Sequence, residues 1–391
     1  MSTFQPFRFL NAGLAALSGS LLTASAGADP LGRWEASATL LNGGQVFGMA
    51  YGAGRYIAVA QRAINLSTNG ADWTVSAVRG GNAATYAGGL FVVVGGGDRV
   101  AMSADGITWM PWSHGGDYSF TSVCYGKGRY AAGGVPSTGV GIDFAVGDYG
   151  GTWKTSRFPA DLSGGGLTGI ACGRGAYVYV SGQPGLWSTD GLNWHPADVP
   201  TNAHLWGVAF GKARFVGPST DGAIYASATG RGFSLAGRLP VSGSDLTVTR
   251  VSYGNGAFVV VGYGGFVATS TDGTNWVKRQ SGTTDNLFAL AFGGGRFVAT
   301  GGNKVIGSGI TPPTTTVPRI RAEESLRLED GTMLLTVEAP YGREVTVEAS
   351  PDLLTWTPIA TDPCDRGEFE VYDHDAQNLF HRFYRARQAA P

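Results

Sequence analysis

Between residues 29 and 309 this 391-residue chain contains a single glutamate, Glu35. A glycosidase built there would need two aspartates as its carboxylate pair, and only Asp143 and Asp148 lie close enough in sequence to serve. Charge is scarce as well: 15% of residues are Asp, Glu, Lys or Arg, and the net charge is −1. The signs are interspersed, which excludes a nucleic-acid footprint or a basic membrane-surface patch. Three cysteines, Cys124, Cys172 and Cys364, are too few for a disulfide framework. Cys124 and Cys172 sit one register apart in their strands, which turns them to opposite faces and predicts two buried, unbonded side chains. The sequence has no HExxH, no His pair at metal-ligand spacing, no GxSxG and no phosphate-cradling loop, so no metal or cofactor is expected. After the first thirty residues no apolar run is long enough to span a bilayer.

Glycine is abundant instead, at 63 residues. It recurs in a pattern of apolar run, Gly-x-Gly, apolar run: "MAYGAGRYIAVA" from Met49, "ATYAGGLFVVVG" from Ala84, "VCYGKGRYAAGG" from Val123, "IACGRGAYVYVS" from Ile170, "VAFGKARFVG" from Val208, "VSYGNGAFVVVG" from Val251 and "LAFGGGRFVATG" from Leu290. These seven copies recur roughly every 40 residues, a period that belongs to repeat architectures. Each reads as a β-hairpin whose glycines take positive φ in the turn. A third short strand, a turn heptapeptide and a Trp-led fourth strand follow, giving four strands per repeat.

The heptapeptide appears as "SADGITW" at Ser103, "STDGLNW" at Ser188, "STDGTNW" at Ser270 and, more loosely, "SPDLLTW" at Ser350. "STNGADW" puts Asn69 in the Asp position, and "SATGRGF" from Ser227 has neither Asp nor Trp. A catalytic acid is needed once or twice in a site, whereas a turn closes every unit. The Asp is therefore expected to accept backbone N–H bonds as in an Asx-turn, with Trp dropping between neighbouring units. "GDYGGTW" from Gly147 fits the Asp-box pattern S/T-x-D-x-G-x-T-W with Gly in first place. Over 29–309 the repeat resembles the Asp-box (bacterial neuraminidase repeat) propellers, a group that includes sialidases, xyloglucanases and photosystem II assembly factors. The resemblance implies an all-β, seven-bladed β-propeller; it implies no single activity, because such propellers serve hydrolases, scaffolds and binding proteins.

The ends of the repeat array complement each other. The seventh hairpin is followed by a third strand but no Asp-turn, while "DPLGRWEASATL" from Asp29 supplies a fourth strand with no unit of its own. An N-terminal strand closing the last blade is predicted, with Trp34 joining Trp73, Trp109, Trp153, Trp194, Phe233 and Trp276 as outer-strand aromatics. Residues 1–28 read as a signal peptide ending in A-x-A cleavage motifs, which places the chain outside the cytoplasm of a bacterium, secreted or at the cell envelope, with no integral membrane segment after cleavage. Residues 310–318, rich in Gly, Thr and Pro, read as a linker, and 319–391 as a small β-sandwich similar to a C-terminal module of exported bacterial repeat proteins.

Sequence is regular on the face carrying the hairpin and Asp turns and irregular on the opposite one, where binding residues are expected. Arg62, Asp98, Arg99, His204, Trp206, Asp221, Tyr263 and Lys304 form the candidate site there, a ring of mixed donors and acceptors around a channel mouth suited to a glycan or a peptide. The chain is read as a monomeric binding or scaffold protein with no cofactor and no nucleic-acid partner. The alternative is a polysaccharide-active enzyme using the same face, either a glycoside hydrolase or a lyase with His114 or His204 as base and Tyr118 or Tyr263 beside it.

Overall fold

The computed structural model describes residues 29–37, 41–76, 78–97, 99–113, 118–134, 136, 140–148, 153–159, 168–182, 185–241, 248–379 and 381–388. The signal-peptide reading and Asp98 lie outside them, as do His114 and the core of the turn at 149–152.

Among the described residues between Trp34 and Ser308 the named strands form seven four-stranded antiparallel sheets, with one short 3-10 turn at Tyr263–Gly265. Their innermost strands are Val46–Gly52, Ala83–Ala87, Phe120–Gly126, Gly169–Gly173, Ala209–Gly211, Val248–Gly254 and Ala289–Gly293. These strands pack on one another in chain order, and the seventh packs against the first. No sheet closes on itself; separate sheets packed face to face make the ring. In the seventh sheet Trp34–Ala36 pairs antiparallel with Lys304–Ser308, Trp34 opposite Ser308. Trp34 is buried among Val259, Val267 and Phe297, so the N-terminal strand supplies the missing fourth strand as expected.

Inner-strand glycines have a different cause from the one expected. In "GAG" at 52–54 positive φ falls on Ala53 and Gly54, the pair that makes a tight hairpin turn, and not on Gly52. Gly52 is needed because a Cβ there would lie 2.0 Å from Cγ of Tyr86 in the next sheet. The same contact recurs around the ring, with Gly173 under Phe210, Gly211 under Tyr253, Gly254 under Phe292 and Gly293 under Tyr51. Five inner-strand glycines thus face an aromatic of the next sheet, the ring filling the space its neighbour leaves by having no side chain; the second strand has Ala87 in the glycine position.

One rung differs. Cys172 stands where its counterparts carry an aromatic ring, and it is disulfide-bonded to Cys124 with Cα atoms 6.1 Å apart. The expectation of two unbonded thiols is corrected. Opposite faces was the right premise, but adjacent sheets meet through opposite faces. Tyr125 packs on the second sheet, so its neighbour Cys124 points toward the fourth. Cys172 points back at it. Cys364 is a free, buried thiol.

The heptapeptides are turns of one geometry. At 270–276, Asp272 Oδ1 accepts from the N–H groups of Thr274 and Asn275, each at 2.8 Å. Ser270 Oγ accepts from Gly273 N at 2.8 Å, and Trp276 Nε1 donates to Gly273 O at 3.3 Å. The turns at 103, 188 and 350 repeat this set, and Asn69 substitutes for Asp in the first sheet without loss of the bonds. Trp194 stacks on Phe144 of the preceding sheet at 3.9 Å, as an intersheet wedge should.

Residues 319–388 form two small antiparallel sheets. One joins Arg319–Ile320, Leu326–Arg327, Met333–Glu338 and Glu368–Asp373; the other joins Val345–Ser350, Thr357–Asp362 and Phe383–Gln388. They share a core of Leu335, Val337, Val345, Val347, Cys364 and Val371. This module is not loosely tethered. Thr311 N donates to Gly295 O and Thr314 N to Asn255 Oδ1, which pins the linker to the ring. Asn255 N donates to Arg366 O at 2.7 Å, and Arg174 N to Glu370 Oε1 at 2.8 Å. Arg174, Asn255 and Gly295 all belong to hairpin turns, so the module sits on the turn face of the ring.

Two outcomes test this packing. Gly254→Ala should cost about 1–3 kcal/mol by overpacking against Phe292, and pairing it with Phe292→Leu should recover part of that loss in chemical denaturation. Deleting 319–391 should lower the ring's thermal midpoint by at least about 3 °C, the shift produced by roughly 1 kcal/mol in a domain of this size. A calorimetric midpoint equal to the parent's would mean that the docking contacts contribute nothing.

Candidate functional site

The antiparallel order places every second-to-third-strand connection, and every entry to an innermost strand, on the face opposite the hairpin turns. Arg62, Asp221, Tyr263, Lys304, His204 and Trp206 therefore share one end of the ring. Arg99 opens the third strand of its sheet, Arg99–Ser103. The structure does not gather all of these into one site. Tyr263 and Lys304 line a single open cleft of about 920 Å³ with Lys278, Arg279 and Gln280. Tyr263 is 42% exposed and meets Phe288 edge-on at 5.7 Å.

Several of the charges are already answered. Lys304 pairs with Asp285 at 3.0 Å, and Asp221 with Arg238 at 3.9 Å. Arg62 and His204 are exposed, and Trp206 is half-buried. Of the aspartate pair considered for a hydrolase, Asp143 is buried and held by Arg157 at 2.6 and 3.1 Å, and Asp148 is exposed. His195 lies over Trp187 at 4.8 Å, on an exposed outer strand. Among the described residues no cluster of His, Cys, Asp or Glu could hold a metal ion.

A second feature escaped the sequence reading. The axis of the ring is a cavity of about 640 Å³, closed at the turn end by residues 359–374 of the module. Its wall carries the aromatic rung Tyr51, Tyr86, Tyr125, Phe210 and Tyr253. Arg250 enters it three residues before Tyr253, where the other inner strands have Gly48, Ala83, Ser122, Gly169, Gly207 and Ala289. That column of small residues, legible once the hairpins are aligned, was the available signal. Arg250 donates to Thr249 O at 3.1 Å and to Phe47 O at 3.3 Å, and burial lowers its pKa to about 10.

The module brings Asp362, Asp365, Arg366, Glu368 and Glu370 to the other end. Burial, and next the Asp362 charge, raise the Asp365 pKa to about 6. Glu368 is raised to about 7, first by burial and then by Glu324, against the pull of Arg321. Burial likewise raises the phenols of Tyr51, Tyr86 and Tyr125, helped by the charges of Asp362 and Asp365. Arg366 is among the residues that line the cavity at this end, and burial lowers its pKa against the pull of Asp365 and Asp362.

No family model matches the chain, and no curated protein sequence does. Solved structures do. YCF48 from Cyanidioschyzon merolae superposes with a TM-score of 0.55 at 16% identity, covering 71% of this chain and 98% of that one. A YCF48 structure bound to D1 peptide gives 0.55 and 16%, over 74% and 99%. The WD40 β-propeller domain of Doa1 gives 0.54 and 14%, over 70% and 97%. The fold is a β-propeller. Most of each of these chains is covered, and the likeness at such identities extends to the propeller fold alone. Among the described residues no helix is long and apolar enough to cross a membrane.

The raised carboxylates make docking of the module pH-dependent. A carboxyl whose pKa is raised on folding stabilises the docked state below its unfolded pKa of about 4.5, and that contribution is lost as pH rises through the folded value. For Glu368 the loss should be steepest below, and level off about one pH unit above, the folded value of about 7. The melting midpoint should therefore fall between pH 5 and 8, and Glu368→Gln should flatten the fall. An equal slope in the variant would exclude Glu368 as a source.

Proposed function

We propose that this chain is an exported, seven-bladed Asp-box propeller with a C-terminal β-sandwich, acting as a monomeric binding or scaffold protein that takes a peptide segment of a partner on its loop face. The observation that carries this reading is the position of the module: it covers the turn face and leaves the loop end of the ring for a partner. A propeller of the same fold has been solved with a peptide bound, which supports the peptide over other ligand classes. The Cys124–Cys172 bond suits an oxidising compartment and supports export. Trp206 and Tyr263 offer the large, amphipathic contact area that dominates interface energetics, and Arg62, His204, Asp221 and Lys304 would form a polar rim.

The test is a panel of immobilised peptides and polysaccharides, scored for retention of the protein and for release of products. Peptide retention should weaken at least about tenfold, 1.4 kcal/mol, in a Trp206→Ala/Tyr263→Ala variant and stay unchanged in Asp272→Ala, whose defect should be confined to stability. Retention on polysaccharides alone would move the ligand to a glycan. Product release would establish the enzyme reading, and binding indifferent to the loop-face pair would overturn the choice of face.

A further inference from the structure

The axial cavity carries opposite charge at its two ends. At the loop end the only long polar side chain in its column is Arg250, whose guanidinium bonds two carbonyl oxygens and, among the described residues, has no carboxylate against it. It remains charged at neutral pH, and a half-buried cation without a counter-ion favours any anion that can reach it. At the module end Asp362 and Asp365 lie near the hydroxyls of Tyr51, Tyr86 and Tyr125. Arg366 offsets one of these two carboxylates and leaves the other. Hydroxyls beside a carboxylate suit an ammonium group, whose three N–H donors can be shared between both.

We propose that the axial cavity binds a short peptide with free termini, about three residues long, its carboxylate on Arg250 and its ammonium at Asp362 and Asp365. Length follows from the strand. Arg250 and Tyr253 are three residues apart, about 10 Å along the axis, and an extended tripeptide spans at most about 10–11 Å. The walls suit a peptide as well, since each innermost strand pairs on one side only and turns its other backbone edge to the axis. Those amides can bond the ligand's own, as a strand edge bonds an added strand. At 640 Å³ the space falls in the range of small-molecule sites. The site is independent of the loop-face reading, because it shares none of that reading's residues.

Calorimetric titration of the full chain with tri-alanine decides the matter, alongside tri-alanine amide, N-acetyl tri-alanine and a trigalacturonate as a carboxylate of another class. Free tri-alanine should bind, and each blocked form should bind at least tenfold more weakly. Arg250→Met should bind the acid and the amide alike, and Asp365→Asn should bind the free and acetylated forms alike, with thermal melts showing both variants folded. Where a variant fails to fold, the comparison of blocked and free peptides on the parent protein stands alone. Equal binding of all three peptides, or no binding of tri-alanine at millimolar concentration, overturns the proposal. Equal binding of the acetylated form overturns the ammonium half, and binding of trigalacturonate in place of tri-alanine overturns the peptide assignment. Loss of peptide retention in the loop-face variant with tri-alanine binding intact would separate the two sites.

Discussion

The close approach of the inner strands is the constraint on which the rest of this molecule depends. Ring aromatics of one sheet occupy the volume that glycine leaves empty in its neighbour, at 1.9–2.2 Å from where a Cβ would be. Interiors packed to this density respond to a single added methyl group. Because the contact repeats around the axis, it fixes the spacing of the sheets and hence the width of the cavity. The chain breaks the pattern at Cys172, where the neighbour is held by a covalent bond to Cys124 in place of a ring.

Local chemistry made much of this legible beforehand. Hairpin turns, the Asp-turn with its backbone donors, and the Trp wedges depend on residues within one unit, so the sequence pattern carries them. The N-terminal closing strand was legible because one unit lacked a strand and the other end had one to spare. Features that depend on which unit lies beside which were harder. Cys124 and Cys172 were assigned to the correct faces, but those faces turned out to be the ones that meet. Gly52, Gly173, Gly211, Gly254 and Gly293 were credited with backbone freedom when the next sheet's aromatic was the cause.

The candidate site was legible in a coarser sense. Strand order sends the chosen residues to one end of the ring, and Tyr263 and Lys304 share a cleft there. Irregularity of sequence, the criterion used, cannot separate a free charge from one already paired, and Lys304 and Asp221 are paired. It also overlooks the reverse case of an irregular residue inside a regular strand. Arg250 is that case. Nor does composition reveal that a Thr- and Pro-rich segment is held by Asn255 and Gly295, since a tether and a docked strap share the same residues.

The pairing of Trp34–Ala36 with Lys304–Ser308 bears on how the molecule comes into being. Trp34–Ala36 is synthesised before the seven hairpins and finds its partner only after they have been made, and such long-range pairing is slow because chain entropy must be lost before the contact forms. Until then the last sheet lacks its fourth strand and Trp34 is uncovered. Closure of the ring's last sheet is therefore the final act of assembly, the clasping of an early strand to a late one.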